Sequence, residues 1–251
     1  MSNIVIPDGG NIGSASDPDA LAISSSGILT MASGNGYRLN SIQTFTTAGS
    51  HTWTKPSNVN AVLVYVTGSG GGGGASGENH DSGGGGGAGG TAIKWITSGL
   101  GSTETVTIGA VGVGGGIDND TTDQYEEGTS GGTSSFGSHC SATGGNGAHD
   151  GNSGHAMGGT GGVGSSGDIN LRGEEGFRGQ DTSIDWNWTG HGGSSFWGGA
   201  GQVNMYHRHQ SSVSYHGSGG GGGSIKDAAT ADIEKGSDGG AGIVVVWEYI
   251  G

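Results

Sequence analysis

The sequence predicts a chain that is mostly β and irregular, with almost no α-helix: packed polyglycine II helices framed by a small β-sheet or sandwich. Three observations carry that expectation. Glycine supplies 63 of 251 residues, and it gathers in glycine-rich runs, chiefly 68–74, 83–87, 114–116, 158–167, 217–223 and 236–242. β-branched and aromatic segments stand before the first run and after the last. No segment sustains a helical apolar period, and glycine at this density opposes helix wherever it occurs.

Composition narrows the class further. Average glycine usage is about 7%, yet there is no Gly-X-Y period and only 3 Pro, so collagen is excluded. Hydrophobic residues make up 30% of the chain, against roughly 45–50% in ordinary domains; a conventional apolar core is too small for this length. Low hydrophobicity and a net charge of −14 would also suit a disordered chain, but 6 Trp, 6 Tyr, 4 Phe and several β-branched runs are foreign to a solvating linker. The single cysteine, Cys140, forms no intrachain disulfide and is expected to be a small buried side chain. The stretch Met1 to Asp8 has no basic region followed by an apolar one, so no secretory signal is expected. No apolar run approaches the ~20 residues of a membrane span, and membrane insertion is not expected. Only 8 Lys and Arg, dispersed along the chain, face 22 Asp and Glu, so nucleic acid is not an expected partner.

In chain order, residues 1–45 form an N-terminal β-rich attachment or shaft segment. Ala20 to Met31 reads as two short strands around a Ser-Gly turn. Residues 46–251 form the glycine-rich domain. Gly49 to Thr54 leads to the Lys55-Pro56-Ser57-Asn58 turn, and Val59 to Val66 follows as a strand. Its two faces, Ala61, Leu63 and Tyr65 against Val62, Val64 and Val66, are both apolar, which predicts a central strand covered on both sides. Thr91 to Ile96, Glu104 to Ile108 and Ile243 to Tyr249 are three more strands, and the last is expected to pair beside Val59–Val66 and close the domain. A flexible linker would not be framed by both ends of one sheet. The ordered alternative is polyglycine II, with about three residues per turn and no internal hydrogen bonds. Without side chains, neighbouring helices come close enough to exchange N–H···O bonds and so satisfy every buried backbone group.

This layout resembles the glycine-rich distal domains of bacteriophage tail-fibre proteins. The resemblance rests on Gly49-Ser50-His51-Thr52-Trp53-Thr54-Lys55-Pro56, Val62 to Val66, Gly68 to Gly74, Ala142-Thr143-Gly144-Gly145, and Gly239-Gly240-Ala241-Gly242-Ile243-Val244-Val245-Val246. It covers about Ser41 to Gly251. The chain is also similar to the tip adhesins of T-even-type phages, whose glycine helices pack in a sandwich topped by receptor-binding loops. Their Trp-bearing N-terminal attachment segment has no counterpart here. Residues 14–40 look more like the repetitive β-segments of trimeric fibre shafts. The resemblance therefore implies a virion protein of the distal, extracellular tail fibre, joined to other fibre subunits as a homotrimer or as a monomeric cap.

Motifs for chemistry are sparse. Glycine runs match G-x-G-x-x-G by chance, but no helix follows any of them, as a phosphate site requires. The acidic stretch Asp118 to Glu127 lacks the EF-hand spacing and reads as a solvated loop. His207-Arg208-His209 presents two imidazoles on one side of an extended segment; in a trimer, His207 and His209 from three copies would surround one metal ion, in the manner of the iron stations of trimeric fibre tips. The alternative is a pair of exposed loop histidines beside Tyr206, Tyr215 and His216. Otherwise no cofactor is expected. Cys140 and the carboxylate pairs lack an oriented partner, and no enzyme is expected.

The strongest functional signal is the distribution of side chains. Insertions at 78–82, 117–130, 149–157, 168–188, 202–216 and 225–234 hold most of the aromatics. Tyr125, Phe177, Trp186, Trp188, Trp197, Tyr206, His207, His209 and Tyr215 are the expected receptor-binding residues, because a rigid scaffold carrying aromatic loops is the layout of a binding surface. Trp186, Trp188 and Trp197 could equally cap the glycine array. The expected function is recognition of a bacterial surface receptor, an outer-membrane protein or a glycan. The alternatives are an extracellular structural or ice-binding glycine-rich protein and, further off, a polysaccharide-degrading enzyme.

Overall fold

The computed structural model describes the strand positions 11–14, 17–23 and 29–31 and residues 37–77, 82–116, 126–151, 156–179, 189–200, 215–223 and 235–251. Among the described residues it is all β and irregular, without an α-helix. Strands β1 (Asn11–Ser14), β2 (Asp17–Ile23) and β3 (Leu29–Met31) form an antiparallel sheet of their own, as the Ser-Gly turn between two strands predicts.

The remaining strands make two five-stranded antiparallel sheets. One has the order β11 (Gly164–Ser165), β10 (Cys140–Ala142), β9 (Ser134–Phe136), β8 (Thr103–Ile108), β5 (Gly49–Thr54). The other has the order β12 (Ile169–Leu171), β7 (Thr91–Ile96), β6 (Ala61–Thr67), β13 (Ile243–Ile250), β4 (Arg38–Phe45). The expected pairing of the C-terminal strand with β6 is present, Val244 opposite Val66 and Val246 opposite Val64. The sheets pack face to face over a small core of Val62, Val64, Val66, Val244 and Val246 against Trp53, Val106, Ile108 and Phe136. Cys140 lies in that core, and burial pushes its thiol up to about 11. Glu248 is also fully buried there. Its carboxyl group accepts from Trp53 Nε1 of the opposite sheet at 2.7 Å, from Gln43 Nε2 at 2.6 Å and from Ser41 Oγ, so a buried polar group is satisfied by three donors and ties the two sheets together.

One expectation needs correcting. β6 is covered unequally on its two faces: Val62, Val64 and Val66 are fully buried in the core, whereas on the outer face Ala61 and Thr67 are buried and Leu63 and Tyr65 are only half-buried, Tyr65 beside Phe196 and Trp197. The second cover is partial, because periodicity reports polarity and not the extent of contact.

The glycine runs continue the strands of the sandwich, and their hydrogen bonds repeat every third residue. Gly68, Gly71 and Gly74 donate to Gly90, Gly87 and Gly84; Ser69, Gly72 and Ala75 donate to Gly132, Thr129 and Glu126; Gly70 and Gly73 donate to Gly240 and Ser237. The same run accepts from Gly112 and Gly115, from Gly145, Ala148 and Gly151, and from Gly220 and Gly223. It therefore has six neighbours, as a threefold helix without side chains permits. Run 83–90 has six as well: 68–74, 143–149, 159–162, 174–177, 190–193 and 217–223. These two adjacent centres and their shared shell make a hexagonal array of ten runs among the described residues. All residues described in 68–77 and 82–90 are buried. The array is a core made of backbone. Its tightness is visible at Gly70, where an added Cβ would lie 1.7 Å from the Ser218 carbonyl oxygen.

Candidate functional site

Successive runs of the array alternate in direction. The run leaving β6 ends at Ala75, level with Glu126, Gly84 and Gly223, to which its last residues are bonded. Gly115 bonds to Gly73, Gly151 to Ala75, Gly190 to Gly83, Gly179 to Ala156 and Gly236 to Gly115. The described ends that flank 78–81, 117–125, 152–155, 180–188 and 224–234 therefore meet at one end of the array, away from the sheets. The flanks of 201–214 lie at the opposite end. There Ala200 and Tyr215 follow and precede residues bonded at the level of the sheet: Ser195 Oγ donates to the His216 carbonyl at 2.5 Å, and Gly217 N donates to the Ala241 carbonyl at 2.8 Å.

The expected binding residues thus divide between two places. Phe177 is near the distal end, more than half exposed, with its ring edge-on to His191 at 5.9 Å. Exposed Met157 and a contact between His149 Nδ1 and Glu127 Oε1 at 2.7 Å lie at the same end. Trp197 and Tyr215 are at the sheet end. Trp197 is half-buried, its Nε1 donates to Thr67 Oγ1 at 2.8 Å, and its ring packs against Tyr65 at 5.9 Å. That side chain fastens segment 194–200 to the outer sheet face. Tyr215 is exposed and lies against Gly198. Tyr125, Trp186, Trp188, Tyr206, His207 and His209 lie outside the described residues. Among the described residues no group of three or more His, Cys, Asp or Glu could hold a metal ion.

Each face of the array has a chemical consequence. A lattice in which every amide of runs 68–75 and 83–90 donates to a neighbouring run holds the ends of each insertion at fixed spacing, whatever the insertion contains. Residues 46–249 match the family model described as glycine-rich domain. The chain belongs to that family. No curated protein matches the chain. Among the described residues the glycine-rich domain is a ten-run array whose insertions are flanked at its two ends, and the split between those ends is what residue-by-residue reading missed. Its signal is in the order of the runs. Pauses between runs alternate, one strand-bearing and the next an insertion, so counting them assigns each pause to an end. The described residues 194–200 and 215–216 fall where a strand-bearing pause is due, and they carry Trp197 and Tyr215 to the sheet end.

Proposed function

We propose that this chain is a receptor-binding adhesin at the distal end of a bacteriophage tail fibre, and that it recognises a bacterial surface protein or glycan through the insertions at the far end of the array. The observation that carries the reading is that the described flanks of five insertions of dissimilar sequence meet at one end of a hydrogen-bonded lattice, with the sheets at the other. Family membership supports a glycine-rich scaffold, and the order of strands and runs resembles fibre-tip proteins. Tyr125, Phe177, Trp186 and Trp188 are the anchors in this scheme: aromatic rings stack on sugar faces or fill pockets between receptor loops at low entropic cost. Recognition is non-covalent and calls on no cofactor.

The test uses the labelled protein on a panel of bacterial strains. A bound strain is expected, and replacing 117–125 or 180–188 with Gly-Ser segments of equal length should abolish that binding while the melting temperature stays within a few degrees. Binding that survives replacement of all five distal insertions would sink the reading. Release of reducing ends from surface polysaccharide would move it to an enzyme.

A further inference from the structure

A second surface lies at the other end of the molecule, on the outer face of the sheet β12-β7-β6-β13-β4. Cross-strand register defines its rows. Trp95, Leu63, Trp247 and Ile42 form one row; Ile169, Ile93, Tyr65, Val245 and Thr44 form the next. Tyr249 sits opposite Ala61 and Leu39 in a third. Tyr37 reaches over this face, edge-on to Trp95 at 5.2 Å, and Trp95 in turn meets Tyr249 at 5.0 Å.

Two properties stand out. None of these row positions carries a charged residue, although the chain bears a net charge of −14. Moreover Tyr37, Leu39, Ile42, Trp95, Ile169 and Phe196 remain 36–53% exposed. At about 200 Å² for each large side chain, they leave roughly 500–600 Å² of apolar area open. That equals the largest patch on a typical monomer and approaches the ~800 Å² per partner of a stable interface.

We propose that this face is the surface through which copies of this chain associate with one another. The charge pattern selects the occupant. Two bodies of net charge −14 repel wherever acidic surfaces meet, and an apolar face whose rows carry no charged residue, with Asp168 only at its margin beside Trp95, lets them meet with few carboxylates between them. The face also lies at the end of the array opposite the described flanks of the five distal insertions, so association leaves that end of the array free. The inference does not rest on the adhesin reading: self-association can be present or absent whether or not the distal end binds a cell.

Sedimentation equilibrium at micromolar concentration tests it, with hydroxyl-radical footprinting of the same samples. The native chain is expected at a multiple of 24.4 kDa, with Tyr37 and Trp95 oxidised more slowly in the assembly than on dilution, and Phe177 unchanged. Ile42→Lys and Trp95→Lys should each weaken association by roughly tenfold or more. Because a strand substitution can unfold the sheet, Tyr37→Ser, ahead of β4 and outside any strand, provides the same reading with little risk to the fold. A single chain at 24.4 kDa overturns the proposal, and so does an assembly in which Trp95 is oxidised at the dilute rate or Tyr37→Ser and Ile42→Lys change nothing. A monomer with Trp95 protected would give the face to another segment of the same chain instead.

Discussion

At Gly70 the requirement for glycine is steric and absolute. A methyl group there would overlap the Ser218 carbonyl, and an equivalent group at Gly73 would lie 2.0 Å from the Gly221 carbonyl. Neither obstacle is a mobile side chain; each is backbone held by its own hydrogen bonds. Gly70→Ala is therefore expected to destabilise by roughly 3 kcal/mol or more, or to prevent folding. Gly199 makes the control, since an added Cβ there meets nothing within 4 Å; Gly199→Ala should stay within about 0.5 kcal/mol. Urea midpoints for the two variants would separate a lattice glycine from a loop glycine, and equal midpoints would refute the packed array. A few small residues are tolerated inside it on specific terms. Ser69 is fully buried because its Oγ donates to the Gly109 carbonyl at 2.7 Å and accepts from Gly242 N at 2.9 Å.

The elements differ in how plainly their sequences announce them. β6, β7, β8 and β13 are readable because β-branched residues recur along them and glycine ends them. β4 is not, and Glu248 is the reason. The inward positions Ser41 and Gln43 are polar because they donate to that buried carboxyl group, so a strand of the sandwich carries a loop-like composition. β9, β10, β11 and β12 have two or three residues each, too few for any period to register. The glycine runs invert the usual relation: they lack every side-chain signal, yet 68–77 is wholly buried. Their order can be measured directly. Amides of Gly71 to Gly74 donate at 2.9 Å within the array, and hydrogen exchange should find them as protected as the amides of Val64 and Val246, opening only with global unfolding. Exchange at the rate of an unstructured chain would make the runs linkers and remove the core.

For the molecule as a whole, period three is the governing constraint, and it makes the two kinds of segment respond oppositely to a change in length. In run 68–75, residues 68, 71 and 74 serve one neighbour, 69, 72 and 75 a second, and 70 and 73 a third. Removing one residue, Gly72, turns everything beyond it by one third of a turn. Each later donor then faces the wrong neighbour, and Ala75 would be carried to a position where a glycine meets a carbonyl. Several buried amides and carbonyls would be left unpaired at about 1–3 kcal/mol each, and once four or five are counted the loss is comparable with the 5–15 kcal/mol that stabilises a typical domain. Removing one residue from 117–125 changes no lattice register, because the ends at Gly116 and Glu126 are held by their own bonds. Its cost is the small entropy of a shorter closed loop. Deleting Gly72 is therefore expected to yield no cooperative thermal transition, and deleting Thr122 to shift the melting temperature by only a few degrees. Calorimetry on the two deletions decides it: a cooperative melt without Gly72 would mean that the runs slide past one another and that the array does not fix where its insertions emerge.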